Sequence, residues 1–267
     1  MEAVEWARAH GASGDVAVVS DQPWARVTRI GDAWLKECMP VQAFEVPLAV
    51  SLVERWADRV AAVLAADAER AWLLLADAGT PITAMTDVMD AWDAALPLYA
   101  ELQQGETAHA EEHLAAGVFD LRPPVLVAEY AAWAERDLRL RPFVERFGEL
   151  CASLTRPSTL QHDDLHDSNI YVRDGRICIL DWGDACIAHP FASMYIALRV
   201  TAHFRGDDAA ARVRAVYLDA WEGDVEDELD RVLPVAAFAR VLQWQAIGDA
   251  DGVERNLEEH LSRVASS

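Results

Sequence analysis

LQHDDLHDSNIYVRDGRICILDWGD, residues Leu160 to Asp184, is the stretch whose reading decides the fold. Its first part carries Asp164 and Asn169, five residues apart. Ile170–Arg173 and Arg176–Leu180 are short, β-branched, apolar runs joined by Asp174-Gly175. A two-residue link of this kind predicts a β-hairpin, because both turn positions want positive φ and Asp and Gly accept it. The hairpin returns the chain beside its own start, so Asp164 and Asn169 are expected close to Asp181. Two carboxylates and an amide are hard oxygen donors. Converging at a hairpin mouth, they suit a Mg²⁺ ion that also holds substrate phosphates, and they point to phosphoryl transfer.

Composition narrows the alternatives. A chain of 267 residues, 52% hydrophobic, can bury one large or two small cores. It holds no run of about eighteen apolar residues, so no membrane span is expected. The start, MEAVEWARAHGASGD, has early acids and no apolar segment and does not read as a secretory signal. Cys38, Cys151, Cys178 and Cys186 form no C-x-x-C pair; they are expected as buried free thiols in a reducing cytoplasm. The net charge of −22 argues against nucleic-acid binding and against attraction to anionic membrane. Between Asp77 and Asp137 twelve acids face only two arginines, Arg122 and Arg136. Such a stretch is either a solvated helical surface or a negative field for a cationic substrate.

Outward from the hairpin, the pattern is strand-rich first and helical afterwards. Residues 1–12 read as a helix. Asp15–Val19, Ala25–Ile30 and Ala33–Cys38 read as strands, punctuated by Ser20–Pro23 and Gly31-Asp32. From Phe44 to Ala66 apolar residues recur at helical spacing, with Pro47 in the first turn. Trp72–Leu75 reads as a strand ending at Asp77-Ala78-Gly79. Beyond it, helices are expected over 86–104, 107–116, 138–154, 190–204, 207–221, 227–248 and 253–264, with Pro234 breaking or beginning one of them. The fold class is α+β. The boundary falls near residue 78, giving a small β-rich lobe over 1–78 and a larger, mainly helical lobe over 79–267.

The same central stretch resembles the catalytic core of the aminoglycoside phosphotransferase and choline kinase-like family, relatives of the protein kinases. That family is marked by H-G-D-x-H-x-x-N followed by a strand ending in I-D-W/F. The match here is His162, Asp164, His166 and Asn169, then Ile179, Asp181 and Trp182. The resemblance implies a two-lobed, protein-kinase-like fold and ATP with Mg²⁺ as cofactors, GTP being the other candidate nucleotide. It assigns the catalytic loop to Asp164, and the metal to Asn169 and Asp181. His162 would support the loop backbone. His166 either reaches the site or, the favoured reading, packs as a satisfied histidine. Lys36, the only lysine in the chain, stands on the third strand, where kinases place the phosphate-contacting lysine. Glu45 is its expected partner, with Glu54 the second candidate. Asp77 and Ala78 fall in the expected hinge for the nucleobase.

There are departures from the family pattern. No G-x-G-x-x-G separates the first two strands, where Ser20–Trp24 makes the turn. Asp163 stands where the family commonly has glycine, an extra carboxylate beside the site. The family's D-P-x-x-D is represented by His189-Pro190-Phe191-Ala192-Ser193. The expectation is a cytoplasmic phosphotransferase acting on a hydroxyl of a small molecule, cationic if the acidic stretch serves it, such as an aminoglycoside or another antibiotic. A kinase for choline, a sugar or an amino alcohol, and a weakly catalytic nucleotide-binding protein working through a partner, are the alternatives.

Overall fold

The computed structural model describes residues 2–266. In chain order its elements are α1 (Glu2–Ala9), β1 (Val16–Asp21), β2 (Ala25–Ile30), β3 (Ala33–Cys38), α2 (Glu45–Trp56), β4 (Val63–Asp67), β5 (Trp72–Ala76) and β6 (Thr80–Pro81). Then come α3 (Val88–Glu106), α4 (Ala110–Ala115), β7 (Phe119–Asp120), α5 (Pro123–Ala134), α6 (Val144–Ser153), β8 (Thr159–Gln161), β9 (Ile170–Arg173) and β10 (Arg176–Ile179). The chain closes with β11 (Cys186–Ala188), α7 (Met194–Arg205), α8 (Asp207–Asp219), α9 (Val225–Ile247) and α10 (Ala250–Ser266). It is an α+β protein, strand-rich first and mainly helical afterwards. Among the described residues no helix is long and apolar enough to cross a membrane.

Two compact units make up the chain. The first comprises Met1–Ala95, Ala115–Val118 and Asp167–Asp184; the second comprises Leu96–Leu114, Phe119–His166 and Ala185–Ser267. These units do not follow the boundary expected at residue 78. Residues just beyond it are tied to the hairpin: β6 pairs with β9, Thr80 opposite Val172. Gly79, at φ +96, comes so close to Val172 that an added Cβ would lie 2.3 Å from its carbonyl oxygen.

In the first unit an antiparallel sheet runs β1-β2-β3-β5-β4. Alternation along the strands divides its two faces. Ala33, Leu35 and Leu74 pack with Ala3 and Ala7 of α1, while Cys38 and Leu73 pack with Val46 of α2. The hairpin β9–β10 pairs Ile170 with Ile179, and its turn residues Asp174 and Gly175 stand at φ +51 and +77. Both signs are those the Asp-Gly link requires.

Three expectations are corrected here. The helix expected over 44–66 ends at Trp56, and Val63–Asp67 forms the edge strand β4 beside β5; the pairing with β5 overrides the helical spacing of Val60, Val63 and Leu64, and Leu64 is left exposed. Pro234 neither breaks nor begins a helix, lying inside the continuous α9. Helix α5 was not expected at all. Pro123 and Pro124 open it, in the first turn where a missing N–H costs nothing.

The second unit holds the small sheet β7-β11-β8 and the helices around it. Tyr130 of α5, Phe147 of α6 and Phe238 of α9 form its aromatic centre, with Tyr130 and Phe147 stacked at 4.0 Å. His260 of α10 joins them: its Nδ1–H donates to the Pro234 carbonyl (2.8 Å), and its Nε2 accepts from the Tyr130 hydroxyl (3.0 Å). All four cysteines are buried and free.

Candidate active site

Because Ala33 and Leu35 enter the core under α1, the alternate residues Trp34, Lys36 and Cys38 of β3 face the other side, where α2 begins. Lys36 is buried there. Its Nζ lies 2.6 Å from Glu45 Oε2 and 2.5 Å from Asp181 Oδ1. Of the two glutamates, Glu45 is beside the lysine and Glu54 is exposed. Burial disfavours the charged amine, yet the carboxylates of Asp181 and Glu45 outweigh it and hold the ammonium above its ordinary value. Asp181 follows β10 at φ +63, a left-handed step that a short polar side chain tolerates. The next turn is fixed by Gln42, whose Nε2–H donates to Asp184 Oδ1 (3.0 Å). A Cβ on Gly183 would lie 2.6 Å from the Gln42 side chain, so glycine lets the two segments approach.

These groups open onto a cavity of about 290 Å³. Val19, Val27, Trp34, Lys36 and Glu45 line one side; Leu75 to Ala78, Asn169, Tyr171, Leu180 and Asp181 line the rest. Lys36, Glu45, Asp77, Ala78, Asn169 and Asp181 are therefore brought to one cavity. The expected hinge is pinned to the hairpin: Asp77 Oδ1 accepts from the Gly79 N–H (2.7 Å), and the Asp77 carbonyl accepts from the Arg173 guanidinium. Trp34 and Tyr171 were missed as lining residues. The signal was available, since each stands two positions from an assigned residue on the same strand or at its edge. A larger groove, about 920 Å³, lies in the second unit among Arg122, Val127, Cys151 and Arg156. It holds none of the assigned residues, so volume alone does not make it the site.

Asn169 and Asp181 are held in register by the Leu180 N–H, which donates to the Asn169 carbonyl (2.9 Å). Among the described residues no group of three or more His, Cys, Asp or Glu side chains could cage a metal. A carboxylate and an amide on one cavity nevertheless fit Mg²⁺, which keeps several waters and takes substrate phosphates as ligands.

The loop His162–His166 belongs to the second unit; the chain passes into the first between His166 and Asp167, within the Asp164–Asn169 interval. Buried His162 supports this loop. Its N–H donates to the Tyr99 hydroxyl (2.9 Å), and its Nδ1 accepts from the Asp164 N–H (3.3 Å). Ser193, in the place of the family's second aspartate, accepts from the Asp163 N–H (3.2 Å) and is bonded to Tyr99 (2.6 Å). Asp164 Oδ2 lies 3.3 Å from His166 Nε2, so His166 is a neighbour of the carboxylate rather than a core residue. Asp164 Oδ1 accepts from Arg240 Nη2 (3.3 Å). Burial would raise this carboxyl, but the hydrogen bond from His166 and the charge of Arg240 hold it well below the usual carboxylate range. Asp163, an extra carboxylate by sequence, is buried at φ +56 with Oδ2 3.8 Å from Arg240 Nη1.

Solved structures resemble the chain along almost its whole length. The GDP complex of wild-type aminoglycoside 2'-phosphotransferase-IIIa is 16% identical at a TM-score of 0.69, covering 99% of this chain and 97% of that one. The streptomycin–ATP–APH(2")-IIa ternary complex is 13% identical at 0.65, covering 95% of each. Choline kinase LicA from Streptococcus pneumoniae is 11% identical at 0.67, covering 98% and 97%. At these identities the likeness shows a kinase-like fold. No curated protein matches the sequence. The family model described as the phosphotransferase enzyme family matches residues 6–234. With that match spanning both the Lys36–Glu45–Asp181 cluster and the Asp164 loop, the chain belongs to the phosphotransferase enzyme family.

Proposed function

We propose that this protein transfers the γ-phosphoryl group of a nucleoside triphosphate, ATP or GTP, to a hydroxyl of a small molecule. The observation that carries the reading is the buried Lys36 ammonium, set between Glu45 and Asp181 on a cavity that Asn169 shares. Phosphoryl transfer asks mainly for positioning and charge neutralisation. Lys36 is a point charge fixed by two carboxylates, suited to the nucleotide's phosphate oxygens. Trp34 and Tyr171 line the same cavity as Asp77 and Ala78 and would pack against the base. Asp181 and Asn169 would hold Mg²⁺, which on binding would neutralise the phosphate charge.

Asp164 is assigned to the acceptor. Ionised across the neutral range, it accepts a hydrogen bond from the hydroxyl and orients it for attack. As the hydroxyl oxygen bonds to the γ-phosphorus, the bond to the β,γ-bridging oxygen breaks and the hydroxyl proton passes to the carboxylate. Asp163 stands 3.8 Å from Arg240, an ion pair that supports the active reading over the weakly catalytic alternative. Aminoglycosides and amino alcohols are the first acceptor classes to try, since solved relatives carry those names; resistance to an antibiotic is the setting the former suggests.

Titration calorimetry with ATP and with GTP tests the reading. Tight binding should need Mg²⁺ and be lost in D181A and weakened in N169A. Equal affinity with and without Mg²⁺, indifferent to both substitutions, would reject it.

A further inference from the structure

We propose that Arg240 is a positioning residue for Asp164 and that Asp163 completes the clamp; this rests on Asp164 acting on the acceptor hydroxyl. Arg240 lies inside α9 and is buried, 4% exposed. One limb of its guanidinium donates to Asp164 Oδ1 (3.3 Å), and the other stands 3.8 Å from Asp163 Oδ2 and donates to Gln243 Oε1 (3.1 Å). The Trp244 ring lies 5.4 Å from the guanidinium carbon, covering it a turn further along the helix. A guanidinium is a rigid planar fork, so fixing one limb fixes the direction of the other.

The Asp164 carboxylate is thereby held at both oxygens, Oδ1 by Arg240 and Oδ2 beside His166. Such a group stays aimed without help from substrate, which is the kind of pre-positioning that lowers the cost of reaching a reactive geometry. A buried guanidinium is unfavourable unless its charge is answered. Asp164 is only partly buried; Asp163 is 2% exposed and supplies the second carboxylate. Its backbone, at φ +56, adopts the left-handed conformation in which glycine sits without strain. An aspartate at a glycine conformation is thus explained by its partner 77 residues along the chain.

Four variants separate holding Asp164 from merely neutralising Asp163: R240Q, D163G, D163G/R240Q and D164N. Each is measured for melting temperature and for Mg²⁺-dependent ATP turnover with kanamycin, with choline and with water alone. R240Q should lower kcat about ten- to hundredfold with nucleotide affinity little changed, and should lower the melting temperature because Asp163 is left buried beside a neutral amide. D163G should lose less turnover than R240Q, since it keeps the Arg240–Asp164 bond. In D163G/R240Q the melting temperature should recover and kcat should not. Recovery of kcat together with stability would overturn the proposal, reducing Arg240 to a counter-ion. Wild-type turnover in D164N, or no Mg²⁺-dependent turnover in the unsubstituted chain, would overturn it by a separate route, because the reading of Asp164 itself would have failed.

Discussion

Lys36 is a charge in a nearly dry place, and that changes what its removal does. An exposed lysine could be truncated with little loss of stability. Here, K36A leaves Glu45 buried without its cation, and breaking a buried pair costs about 3–5 kcal/mol. K36A should therefore lower the melting temperature as well as nucleotide affinity. K36M/E45Q should recover most of the stability and none of the affinity. If the double variant binds nucleotide as the unsubstituted chain does, Lys36 is a structural ion alone. Lys36 was legible because it is the only lysine. Arg240 was not, because nothing in a helical run marks which arginine folds back onto a loop 76 residues earlier.

At the scale of elements, the hairpin and the segment after β5 act as one piece, and their glycines can be ranked. At Gly175 an alanine meets no atom within 4 Å and bears only the left-handed backbone penalty of about 1–2 kcal/mol. At Gly79 it bears that penalty and also runs into the Val172 carbonyl. G79A should thus be clearly more destabilising than G175A in denaturant unfolding and should weaken nucleotide binding; equal effects would mean that the Gly79–Val172 approach is unimportant. In the helical unit, burial holds His260 down to about 4, against about 6.5 in an unfolded chain. Between those values the unfolded chain binds the extra proton, so stability is full above about pH 6.5 and falls as pH drops through 4, by about 3 kcal/mol at most. H260Q should flatten that part of the stability–pH curve, measured by unfolding at several pH values. The hairpin was readable from sequence because an Asp-Gly turn is a local decision. Strand β4 and helix α5 were not, because tertiary pairing chose the period of the one, and the other is apolar around much of its circumference, as in Val125-Leu126-Val127.

Over the whole molecule, the net charge of −22 bears on what can approach. In the acidic stretch, Arg122 answers Asp120 and Glu111, and Arg139, just beyond the stretch, answers Asp137. With that one further cation the field is slightly weaker than twelve acids against two arginines implies, but it keeps its sign. A cationic acceptor should show a Michaelis constant that rises as salt goes from about 0.01 M to 0.15 M, over which the screening length falls from about 30 Å to 8 Å. A constant indifferent to salt would make those acids a solvated surface. The small-molecule phosphotransferase reading itself turns on where the γ-phosphorus goes. Phosphorus NMR of Mg²⁺-ATP incubated with a mixture of aminoglycosides, amino alcohols and sugars follows it directly. The unsubstituted chain should produce a phosphomonoester of at least one acceptor, at a rate that D164N reduces at least about a hundredfold. Inorganic phosphate as the only product, or the same monoester formed equally fast by D164N, would contradict the account.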